Sequence, residues 1–211
     1  MEEVYKWCNI VDHQKLFSTH LFLYDDYYKD SRSEMKKYIS DLWANRKYDE
    51  NWQTKSADLQ KKTEFFDFSK EVLAANKTIL GKVLKYYVED IVITDMWANV
   101  LKPGEMHPPH THSNNFLSGV WYLESDGNAG IFFKDPRSEA DVIVPRKSVA
   151  NLDNSNIVSY ASTTNRAIVF PAWFQHWVPI NHSKKNRISI SWNIQIRGQL
   201  GEHHEFQSAN F

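Results

Sequence analysis

The 211-residue chain has a single cysteine, Cys8, so it forms no intrachain disulfide, and a reducing, cytoplasmic setting is the expectation. It also lacks an excess of either charge. Lys plus Arg (25) nearly cancel Asp plus Glu (26), leaving a formal net charge of −1. No global field therefore argues for nucleic acid, a membrane surface or an acidic substrate. Nowhere do about 18 apolar residues run together, the minimum for a membrane-spanning helix. Residues 1–30 show no basic start followed by an apolar run and a cleavage site, so no secretory leader is expected. Internal repeats, low-complexity tracts and interdomain linkers are absent as well. The length suffices for one core without staples, and a single domain over 1–211 is expected.

What is present changes character near residue 90. Before it, apolar residues recur at helical spacing: Met35, Tyr38, Ile39, Leu42 and Trp43, then Val72, Leu73, Ile79, Leu80, Val83, Leu84 and Tyr87. These predict helices over 33–45 and 69–89. A short extended run, Leu16 to Leu23, precedes them, and Asn51-Trp52-Gln53-Thr54 reads as an ordered loop. After residue 90 the pattern turns to β. Short strands are predicted at Ile91–Leu101, Phe116–Glu124, Gly130–Phe133, Asp141–Val144, Asn156–Ser159, Ala167–Phe170, His176–Ile180 and Arg187–Ile196, broken by Gly, Pro, Asn and Asp. The fold class is mainly β: a closed double sheet over 91–197, a helical support over 1–90 packed outside it, and an aperiodic, mobile tail over 198–211.

Strand parity sharpens the reading. Arg187, Ser189, Ser191 and Asn193 alternate with Ile188, Ile190, Trp192 and Ile194, giving one polar and one apolar face. Alone, this is a solvent-facing sandwich strand. In a small barrel the polar face would line a pocket and the apolar face would lie beneath the helices. The chemistry nearby favours the pocket. His110 and His112 are one residue apart, so on a strand their imidazoles point the same way and can grip one metal ion, with His176 closing the triangle. Arg187 and Ser189, eleven and thirteen residues past His176, could hold a carboxylate beside that metal. Metal plus carboxylate anchor suggests an Fe(II) enzyme using 2-oxoglutarate. Alone, the His-x-His would equally be a surface loop with adventitious metal affinity, and His176 among aromatics a satisfied core histidine. Pro108 and Pro109 are expected to interrupt any strand through His107, which is read as supporting the metal ligands or lining the pocket. His13, His20, His182 and His203-His204 are assigned no role. Trp97, Trp121, Trp173, Trp177 and Trp192 are expected to pack mostly in the core or against the helices, with Trp173 and Trp177 also candidates for the substrate entrance.

With these segments in view, the chain resembles the 2-oxoglutarate and Fe(II) dependent oxygenases of the phage-associated type, distant relatives of the prolyl 4-hydroxylases. The resemblance runs through Leu16-Phe17-Ser18-Thr19, Asn51-Trp52-Gln53-Thr54, Met96-Trp97-Ala98-Asn99, the His-rich segment with Leu117-Ser118-Gly119-Val120-Trp121-Tyr122-Leu123, Phe170-Pro171-Ala172-Trp173 with His176, and Arg187-Ile188-Ser189-Ile190-Ser191-Trp192-Asn193. It implies a double-stranded β-helix (a jelly-roll, cupin-like barrel) with iron at its mouth, and decarboxylation of 2-oxoglutarate driving oxidation of a second substrate. By position, His110, His112 and His176 would be the iron ligands, and Arg187 and Ser189 would bind the distal carboxylate of 2-oxoglutarate. Tyr122 sits where related hydroxylases place a tyrosine on that carboxylate, and Asn99 is a further candidate for the pocket. One departure is plain: the wider superfamily's motif is His-x-Asp, and here His112 stands where the carboxylate should be. Three neutral imidazoles leave the site one unit more positive, which alters its potential.

The substrate implied is a small molecule, protein or peptide, with dioxygen; no nucleic acid or membrane is indicated, and a homodimer is compatible with the sequence. Two other classes stay open. A cupin-type three-His metalloprotein would use the same histidines without 2-oxoglutarate, and a non-catalytic β-barrel binding module would keep them as structural residues.

Overall fold

A computed structural model describes residues 14–202, 204 and 206–211; Cys8, His13 and His203 lie outside the described residues. In chain order the elements are β1 (Phe22–Tyr24), α1 (Arg32–Ala44), β2 (Trp52–Gln53), α2 (Phe66–Thr78), β3 (Asp90–Leu101), β4 (His107–His110), β5 (Leu117–Glu124), β6 (Asp126–Lys134), β7 (Ile157–Thr163), β8 (Ala167–Pro171), β9 (His176–Val178), β10 (Arg187–Arg197), β11 (Gln199–Leu200) and β12 (Ala209–Asn210). The strands form a six-stranded sheet, β1-β8-β5-β10-β3-β2, and a four-stranded sheet, β4-β9-β6-β7, with β11 and β12 a separate ribbon. This is a double-stranded β-helix whose two sheets face each other. It is not a closed barrel: among the described residues no strand pairing joins one sheet to the other. No helix among them is long and apolar enough to cross a membrane.

The alternation along β10 does what its parity predicts. Ile188, Ile190, Trp192 and Ile194 pack with Trp121 and Leu123 of β5, Met96, Ala98 and Val100 of β3, and Met35, Ile39, Phe65, Phe68, Val72 and Leu80 from the helical half. The helices thus cover the outer face of the large sheet. Burial of Trp121 and Trp192, both at 0% exposure, anchors that layer; truncating either would cost roughly 3–5 kcal/mol. Gly119 makes the layer possible, because a Cβ there would stand 2.3 Å from the Trp192 indole. On the inner face Val120, Tyr122, Ile168 and Phe170 meet Ile131 and Phe133 of β6, and Phe174, forming a smaller core between the sheets.

Four sequence expectations need correction. The helix predicted over 69–89 begins earlier and stops sooner: α2 runs into a π turn at Ile79–Val83, and Lys85 at φ 61° breaks the chain away. Asp141–Val144 is no strand; a 3-10 turn covers Ser138–Asp141, and Val142, Ile143 and Val144 are exposed without a partner strand. The loop Asn51–Thr54 contains β2, which pairs Trp52 with Val100 and Gln53 with Asn99. Finally, Pro108 and Pro109 do not interrupt a strand. β4 runs through them at the edge of the small sheet, pairing only His107 with Val178 and His110 with His176 across a register shift. An edge strand tolerates prolines whose missing N–H groups owe no ladder bond. In the stretch read as an aperiodic tail, β11 pairs antiparallel with β12, and Gly198 and Phe211 exchange backbone hydrogen bonds of 2.9 and 3.2 Å.

Candidate metal centre

His110 ends β4 and His176 begins β9, its register partner, so the small sheet fixes both. His112 lies just beyond β4, on the segment leading to β5. Its backbone N–H donates to Ala172 O (2.9 Å), which ties that segment to the residues following β8. One nitrogen of each ring lies within 4.8 Å of those of the other two, and Nε2 of His112 is 3.2 Å from Nε2 of His176. An ion bound at about 2.1 Å would space neighbouring octahedral nitrogens by about 3.0 Å, so this pair suits two adjacent ligands. Two rings are also held in the right tautomer. Nδ1 of His110 faces Pro108 O and Nδ1 of His176 faces Phe174 O, both at 2.8 Å, so Nδ1 carries the proton and Nε2 presents its lone pair. Burial pushes His112 down to about 4 and His176 down to about 3, so both are neutral near pH 7.

The other end of the cavity is built from β10, β5 and β3. Ser189 pairs with Tyr122 on one side and Asn99 on the other, placing three polar side chains in one row across the large sheet. Arg187 lies two residues back on the same face. It is buried, donates from Nη1 to Ala129 O (2.5 Å), and its guanidinium stands 5.5 Å from the Tyr122 ring centre. Burial disfavours its charge, and among the described residues it has no carboxylate partner. Burial likewise pushes the Tyr122 phenol up to about 12, so it remains a donor. Nε of Arg187, Oγ of Ser189, the Tyr122 hydroxyl and Oδ1 of Asn99 are all buried without a hydrogen-bond partner. Such atoms are costly unless something else completes them.

These groups and the three histidines line one cavity of about 300 Å³. Every residue singled out from the sequence (His110, His112, His176, Arg187, Ser189, Tyr122, Asn99) borders it, as does His107, whose imidazole burial pushes down to about 4. Reasoning from sequence missed the mouth. Trp97, expected to be packing, lines the cavity and stacks on His112 with ring centres 5.6 Å apart; Asn51, Gln53 and Ser191 complete the wall. Trp97 shares strand parity with Asn99, a signal that was available. Asn51 and Gln53, part of the resemblance but given no role there, reach the site through the pairing of β2 with β3 and a bond from the Asn51 N–H to Glu105 Oε1 (3.1 Å). Trp121 and Trp192 are core as expected, while Trp173 is exposed.

The fold has counterparts among known proteins, and one family matches the segment that carries the site. The family described as "Putative 2OG-Fe(II) oxygenase" matches residues 95–193, just under half of the chain but inclusive of all seven residues named above; the N-terminal segments of the resemblance lie outside the match. No curated protein sequence matches the chain. Among solved structures, the fold is shared with the epimerase SnoN from nogalamycin biosynthesis (TM-score 0.62, 10% identity, 89% of this chain and 83% of that one). It is shared equally with HygX from Streptomyces hygroscopicus, solved with nickel, 2-oxoglutarate and hygromycin B (TM-score 0.60, 8% identity, 84% and 83%). A Pseudomonas putida prolyl-4-hydroxylase is a third (TM-score 0.57, 12% identity, 86% and 90%). Residues 95–193 thus match the 2-oxoglutarate/Fe(II) oxygenase family, and the chain shares its fold with solved members of that kind.

Proposed function

We propose that His110, His112 and His176 hold Fe(II), and that Arg187, Ser189 and Tyr122 bind the distal carboxylate of 2-oxoglutarate, with Asn99 beside them. The observation that carries this reading is the set of buried polar atoms left without partners opposite three converging imidazoles. A carboxylate would complete the Arg187 fork and take donated hydrogen bonds from Ser189 and Tyr122. The imidazoles would supply three neutral donors to the ion, and the cavity beside them would leave space for the keto acid. Bound there, Fe(II) with dioxygen supplies the chemistry of the family: decarboxylation of 2-oxoglutarate to succinate, coupled to hydroxylation or other oxidation of a second substrate. That substrate is a small molecule or a peptide, entering past Asn51, Gln53 and Trp97. Tyr122 and Arg187, neutral donor and fixed cation, hold the cosubstrate without moving a proton. A reducing cytoplasm, where Fe(II) stays reduced, suits such an enzyme.

An anaerobic titration with Fe(II) and 2-oxoglutarate, on wild type and Arg187→Ala, tests the proposal. A visible metal-to-ligand charge-transfer band should appear, and the variant should need far more keto acid to develop it. Metal binding without a band would favour a three-His cupin chemistry that needs no keto acid.

A further inference from the structure

The ligand set proposed above carries no negative charge, and the three imidazoles are not supported alike. His110 and His176 each face a backbone carbonyl through Nδ1. His112 is approached by a side chain instead, the amide of Asn193. Asn193 stands in register with Asp95 on β3 and with Ser118 on β5, next to a bulge between Asn193 and Ile194. Its Nδ2 donates to Asp95 Oδ2 (3.4 Å), and its Oδ1 accepts from Ser118 Oγ (2.8 Å). That orientation leaves the second lone pair of Oδ1 for the His112 ring N–H. Asp95 fixes the amide: rotated by half a turn, the amide would turn its oxygen toward that acceptor-only carboxylate. Asp95 makes no ion pair with a lysine or arginine among the described residues, so its charge is left to act on His112.

We propose that Asp95 is a positioning residue for the metal centre, acting through the Asn193 amide to orient His112 and to supply from outside the ligand set the negative charge that set lacks. The proposal rests on His112 being a ligand. The chain Asp95–Asn193–His112 does for this ring what a carboxylate bonded to a metal-bound imidazole does elsewhere, with an amide interposed. Losing such a partner weakens metal binding about 10–100-fold.

The test is an equilibrium Co(II) titration of the metal-free full chain, for wild type, Asp95→Asn, Asp95→Glu and His112→Ala, read by the visible spectrum of the bound ion. Asp95→Asn should bind about 10–100-fold more weakly with shifted bands, and Asp95→Glu should recover most of the loss. Asp95→Asn binding like wild type overturns the proposal. His112→Ala binding like wild type refutes the ligand reading beneath it instead. Imidazole nitrogen chemical shifts of the metal-free wild-type protein give a second check that needs no variant: His112 should carry its proton on Nδ1, and a proton on Nε2 would overturn the assignment.

Discussion

Replacing Arg187 should make the protein more stable when empty and less so when loaded. Its guanidinium is buried with no carboxylate among the described residues, and an uncompensated buried charge costs roughly 3–5 kcal/mol. The bond from Nη1 to Ala129 O and the approach to the Tyr122 ring return part of this, roughly 2–3 kcal/mol together. Arg187→Met keeps the volume and removes the charge, so metal-free, ligand-free protein should gain about 1–2 kcal/mol. For a chain of this size that is a rise of roughly 2–8 °C in melting temperature. With Ni(II) as an inert ion and 2-oxoglutarate at about a hundred times its Kd, the wild type should gain about 2.7 kcal/mol beyond its metal-bound state. The variant should gain from metal and little from the keto acid at that concentration. Differential scanning fluorimetry under the three conditions reads both effects, and the curves should change order. If Arg187→Met melts below wild type in every condition, Arg187 is a structural anchor and the anion-site reasoning fails.

Gly119→Ala should cost about 3 kcal/mol, since its Cβ would meet the buried Trp192 indole at 2.3 Å; urea unfolding measures it, and a loss below about 1 kcal/mol would show that the helix layer yields easily. His107 is pushed down to about 4 from 6.5 by burial first and Arg187 second. The unfolded chain therefore takes up the proton first as pH falls, and stability drops by about 2 kcal/mol between pH 7.5 and 5. His107→Gln should flatten that part of the stability-versus-pH curve; parallel curves would mean that His107 is solvated. Ni(II) should raise the melting temperature of wild type but not of His176→Ala, and a chelator should reverse the gain. An equal gain in the variant would put the ion elsewhere.

How much of this was legible in the sequence depended on whether local pattern and tertiary role coincided. β10 was readable because its two faces meet different media, a polar cavity and an apolar helix layer, so alternation was enforced at every position from Arg187 to Ile194. The histidines were readable because ligand chemistry demands residue types that rarely cluster by chance. The helix end near Val83 was not, since Leu84 and Tyr87 continue the apolar spacing while the backbone turns at Lys85. Val142-Ile143-Val144 carried strong strand propensity, but propensity without a partner strand makes no sheet. Asn193 looked like one more polar residue on the inner face. Its link from Asp95 to His112 depends on which strands lie beside β10, and no single segment contains that information.

The two prolines of β4 have a consequence beyond local geometry. The open edge of the small sheet is the strand that ends in His110, so any extended segment adding there would crowd the cavity mouth. A strand whose middle residues are Pro108 and Pro109 offers no N–H groups at those positions, and an incoming chain finds no ladder to extend. The residues that made this segment look unlike a strand thus act as a guard, keeping the unpaired border from recruiting neighbours and leaving the way to the histidines clear.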